Sequence, residues 1–96
     1  MAADTPDYRS QRKQDAQSRQ GQQEKTRPLK KELEQIDTRL AQLQADKAAL
    51  EQRLAQPLPP AEIADKGKRL KAATDEITKL EERWLEVSSE LEALTA

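Results

Sequence analysis

The chain has 96 residues, 36% of them charged, with one Trp, one Tyr and no Phe, Cys or His. So lean a composition excludes a thick globular core and a disulfide framework, and it removes the usual nucleophiles, bases and soft metal ligands. The net charge of −1 conceals a gradient: residues 1 to 31 hold eight basic against four acidic residues, whereas residues 32 to 96 hold nine against fourteen.

From Met1 to about Lys25 the chain is rich in Gln, Arg and Ser and almost empty of apolar residues. It has too little to bury to offset the entropy of ordering, so residues 1–25 are expected to form a flexible, disordered tail or linker, with transient helix at most. Arg9, Arg12, Lys13 and Arg19 make it basic. The two readings of that charge are a solvated linker and an arm that touches phosphate. No apolar run reaches the length of a membrane span, and the N-terminus lacks the apolar stretch of a secretory signal. The expectation is a cytoplasmic protein that does not contact membrane.

Beyond Lys25, apolar residues recur at alternating steps of three and four. Leu29, Leu33, Ile36, Leu40, Leu43, Leu50 and Leu54 form one ladder, interrupted by Lys47. Such spacing places one narrow apolar stripe on a helix, with Leu33, Leu40, Lys47 and Leu54 at a positions and Leu29, Ile36, Leu43 and Leu50 at d positions of a heptad. Helix one is expected over about 27–55, capped by Thr26 and with Pro28 in its first turn, where the missing N–H has no intrahelical partner in any case. Lys47 reads as a register device whose stem snorkels out of the seam, not as a catalytic lysine.

Gln56-Pro57-Leu58-Pro59-Pro60 ends that helix and starts another, because proline cannot continue the first and suits the first turn of the second. Helix two, about 61–94, carries Ile63, Leu70, Ile77, Trp84 and Leu91 at a positions and Lys66, Ala73, Leu80, Val87 and Leu94 at d positions. Gly67 falls within it and costs about 1 kcal/mol relative to Ala. A turn this short, 56–60, makes the pair antiparallel, and residues 26–96 are expected to form an all-α, two-helix antiparallel coiled-coil hairpin. Pairing a with d sets Lys47 against Ala73, and a slip of half a heptad is the alternative. Trp84 could stack on a base, but its place on the apolar stripe makes it a packing anchor of the seam.

No phosphate-binding loop or dinucleotide fingerprint is present, and the carboxylates fall on solvated faces where nothing would raise a pKa. The chain therefore reads as non-enzymatic, with no cofactor or metal of its own. Its notable chemistry is positive charge. Arg53 before the turn and Lys66, Lys68, Arg69 and Lys71 after it give the hairpin a cationic tip, and Lys30 and Lys31 mark the start of helix one. Such a rod can lie along a phosphate backbone; the alternative is an ordinary solvated surface.

Three elements together carry a family resemblance: Arg27-Pro28-Leu29-Lys30-Lys31-Glu32-Leu33, Leu50-Glu51-Gln52-Arg53-Leu54-Ala55 and Glu81-Glu82-Arg83-Trp84-Leu85-Glu86. The chain from about residue 9 to 94 resembles the C-terminal coiled-coil domain of ABC-F ATPases, soluble members of the ATP-binding-cassette superfamily. Its turn departs from the family's acidic-aromatic element, having Pro57 to Pro60 instead. The resemblance implies a cytoplasmic parent whose two cassettes bind ATP and Mg, action on the ribosome, and DNA binding by this domain in at least one branch. Two functions follow as expectations. One is an accessory domain that binds DNA or ribosomal RNA non-specifically; the other is a protein-interaction or dimerisation coiled coil. A monomeric hairpin is expected, with a homodimer as the variant that would bury more apolar surface.

Overall fold

A computed structural model describes the backbone of residues 4–95 and the side chains of residues 23–95. It contains two helices, α1 (Asp4–Leu54) and α2 (Pro60–Thr95), packed against each other as an antiparallel hairpin in a rod of 86 × 16 × 15 Å. Among the described residues there is no strand.

The proline connection works as its residue types require. The amide of Gln56 donates to the Arg53 carbonyl at 3.1 Å, tightening the last turn of α1. On the other side the Pro59 carbonyl accepts from the amides of Glu62 and Ile63 at 3.0 and 3.1 Å, so Pro59 opens α2 and Pro60 occupies its first turn. Glu62 places a carboxylate where the helix dipole favours one.

The start of α1 differs from the expected one near Thr26 and Pro28. The helix is continuous from Asp4, and Pro28 lies inside it. Residues 4–25 are mostly good helix formers, Gln, Arg, Lys and Ala, which makes continuation feasible even through a proline that forfeits one backbone hydrogen bond. Thr26 does not act as a cap. Its hydroxyl donates to the Gln23 carbonyl at 3.4 Å and the residue is buried, at 4% exposure, on the a position one heptad before Leu33. Because α1 has 51 residues and α2 has 36, the N-terminal turns of α1 run on past the end of its partner.

The seam follows the two ladders. Ile36, Leu43, Ala73 and Val87 are buried, and Val87 is fully so. Leu29, Leu33, Leu40, Leu50 and Leu54 on α1, with Leu70, Ile77, Leu80 and Leu91 on α2, are half-buried, as expected where only one helix covers each stripe. Lys47 is half-buried, and Ala73 lines a cleft with Leu43 and Leu50, the d residues on either side of Lys47. Two ladder positions depart from expectation. Ile63 is 47% exposed next to the turn, and Trp84 is 37% exposed. The indole is therefore not a core anchor: a two-helix seam is too narrow to enclose it, and the ring lies at the edge.

One edge of the seam is held by charge. Arg39 makes a two-pronged contact to Glu76, at 2.5 and 3.1 Å, and Arg83 makes another to Glu32, at 2.6 and 3.0 Å. All four residues are at g positions, immediately before an a residue. The step from Arg39 back to Glu32 is one heptad, and the step from Glu76 forward to Arg83 is one heptad, as an antiparallel pairing demands. Continuing the same steps along this edge aligns Lys25 with Glu90, Asp46 with Arg69 and Arg53 with Glu62. Every pair is of opposite sign, and the signs alternate along each helix. Sliding one helix by a heptad in either direction sets like charge against like at every remaining position. The edge thus selects one register and penalises its neighbours.

Candidate nucleic-acid interface and an exposed indole

The cations named from sequence divide into three groups. Arg9, Arg12, Lys13 and Arg19 lie outside the residues whose side chains are described. The second group, at the tip, is less uniform than the sequence suggested. Arg69 contacts Asp65 one turn earlier, at 3.2 Å, and stands level with Asp46 across the cleft they both line. Arg53 lies in the last turn of α1, where a cation suits the helix dipole. Lys66 is half-buried at its d position. Lys68 and Lys71 are exposed, and among the described residues neither makes an ion pair.

The third group lies on α1. Arg27, Lys30 and Lys31 share a shallow concavity with Gln23, Thr26 and Glu34. Arg27, in the sequence a part of the helix start, stands three and four residues before Lys30 and Lys31, and that spacing is the signal that places all three together. At 1.5 Å per residue this cluster stands roughly 30 Å along the rod from the lysines of the tip.

Among the described residues no group of His, Cys, Asp or Glu is arranged to hold a metal ion, and no helix is long and apolar enough to cross a membrane. The shifted pKa values belong to the g-edge pairs. Hydrogen bonds from Arg83 and Arg39 hold the carboxyls of Glu32 and Glu76 below the ordinary range, while those carboxylates raise the two guanidinium groups. Those four groups serve the register of the hairpin.

On the e edge of the seam, Trp84 and the 61% exposed Leu85 line a cavity with Leu40, Asp37 and Glu81. Sequence reasoning passed over Asp37, Glu81 and Leu85, because nothing in the heptad ladder shows that residues of the two helices share one hollow.

The family model described as the ABC transporter C-terminal domain matches residues 24–89. The chain belongs to that family. The matched span holds every buried residue of the seam among the described residues, from Thr26 to Val87. No match was found among the curated proteins or among the solved structures compared. An ABC transporter C-terminal domain is an accessory part of an ABC protein, and this one is a helical hairpin.

Proposed function

We propose that this ABC transporter C-terminal domain is the non-catalytic accessory domain of an ABC-F type ATPase in the cytoplasm, and that it binds DNA or ribosomal RNA without sequence preference. On this reading ATP and Mg are bound by cassettes elsewhere in the parent, and the ribosome is where the domain works. The observation that carries the reading is the pair of cation clusters that make no ion pair among the described residues, Lys68 with Lys71 at the tip and Arg27 with Lys30 and Lys31, beside Glu34, on α1. Exposed ammonium and guanidinium groups at two places along a rigid rod can follow a phosphate backbone and release its counterions.

Titration with duplex DNA and with structured RNA, from low to physiological salt, tests it. Affinity should fall steeply with salt and differ little between sequences. Lys68→Glu with Lys71→Glu should weaken binding about tenfold or more at low salt, since two phosphate contacts become repulsions. The helical circular dichroism should be unchanged, because both residues face water. Absence of binding at low salt would overturn the reading.

A further inference from the structure

The two edges of the seam obey opposite rules. Along the g edge each charge is aligned with its opposite. On the e edge Asp37 and Glu81, one from each helix, line the same cavity with like charge, and among the described residues neither has an ion-pair partner. The same cavity, about 260 Å³, exposes the largest apolar side chain of the hairpin, Trp84, beside Leu85 and Leu40. A sequence that matches charge so consistently on one edge violates two rules on the other, at a single place. Conflicts of this kind, concentrated and uncompensated, mark sites where a partner supplies what is missing.

What is missing here is a cation with an apolar neighbour. An indole face attracts Arg or Lys, two carboxylates attract it further, and Leu40 and Leu85 offer apolar surface next to it. We propose that the hollow formed by Asp37, Leu40, Glu81, Trp84 and Leu85 is a docking site for an Arg or Lys side chain carried beside an apolar residue on a segment of a partner protein. Nucleic acid is disfavoured at this place by the same two carboxylates. The site is thus separate from the lysine clusters, and one hairpin can hold a protein partner and a phosphate backbone at once.

Trp84 is the single tryptophan of the chain, so its fluorescence reports on this hollow alone. The probe is a helical peptide with Arg and Leu four residues apart on one face, and the control peptide has Glu in place of Arg. The full chain should show a saturable change in Trp84 emission with the Arg peptide and none with the Glu peptide. Asp37→Asn with Glu81→Gln should weaken the Arg peptide about tenfold or more, the usual scale for losing a charged contact. Its thermal midpoint should stay level or rise, because two like charges that line one hollow are removed. Asp75→Asn with Glu92→Gln, which changes net charge equally at two exposed positions away from both edges, should leave peptide affinity unchanged, and so should Lys68→Glu with Lys71→Glu. Equal responses to both peptides, or full affinity in the Asp37→Asn, Glu81→Gln variant, would overturn the proposal. A Trp84 shift on concentrating the protein alone, accompanied by a dimer in sedimentation, would overturn it in favour of a second copy as the occupant.

Discussion

Val87→Asp should unfold the hairpin. Val87 is the one fully buried side chain among the described residues, and an unpaired carboxylate there loses its hydration with no cation in reach, a cost of several kcal/mol. A hairpin of this size has a total stability of roughly 4 to 10 kcal/mol, so the substitution takes most or all of it. Far-UV circular dichroism at 25 °C should fall towards that of isolated, fraying helices, which lose most of their support without a packed face. Trp84→Ala is the informative contrast. Truncating a buried Trp costs about 3–5 kcal/mol; with 37% of Trp84 already in water, the expected loss is about 1–2 kcal/mol. Equal damage from the two substitutions would return Trp84 to the core and remove the exposed hollow on the e edge.

Charge reversal on the g edge is the second prediction. Arg39→Glu alone and Glu76→Arg alone should each lower the melting temperature, and the double variant should recover most of the loss, because the contact is restored with its ends exchanged. The recovery should shrink at high salt, since both pairs are partly solvent-exposed. No recovery in the double variant would show that the ladder does not set the register. The same pairs give a pH signature. Glu32 and Glu76 titrate lower in the folded chain than when unfolded, held down chiefly by hydrogen bonds from Arg83 and Arg39. Their contribution is thus present above the unfolded carboxylate range and is lost as pH falls through the lower values they have in the folded chain. Acid unfolding of Glu32→Gln with Glu76→Gln should be shallower over that window than acid unfolding of the parent chain.

Both predictions use features that the sequence displays unequally. The apolar ladders from Leu29 to Leu54 and from Leu70 to Leu91, with three prolines between them, were sufficient for two antiparallel helices, because a period of three and four leaves one narrow stripe and a short turn leaves one way to fold it over. The motifs around Pro28, Arg53 and Trp84 resemble the C-terminal domain of ABC-F ATPases, and the match over residues 24–89 establishes the broader ABC transporter C-terminal domain family. Period says which face is buried, not how wide the covered strip is. Hence Ile63 and Trp84 lie on the stripe and yet reach water, while Thr26, predicted as a cap, is buried.

Charge was the harder matter. A count along the chain puts Arg53, Lys66, Lys68, Arg69 and Lys71 into one cationic tip, whereas the fold half-buries Lys66, aligns Arg53 and Arg69 with the acids of the opposite helix and leaves Lys68 and Lys71 free of ion pairs among the described residues. Whether a charge is an interface or a register pin depends on its neighbour across the seam, and residues 37 or 51 positions apart, such as Arg39 with Glu76 or Glu32 with Arg83, become neighbours only through the fold. The sequence by itself determined the hairpin, its turn and its family. The tertiary structure decided which cations are spare, where the helix begins, and that Trp84 reaches water in a hollow it shares with two carboxylates, because each depends on distances between the helices that no spacing within one of them contains.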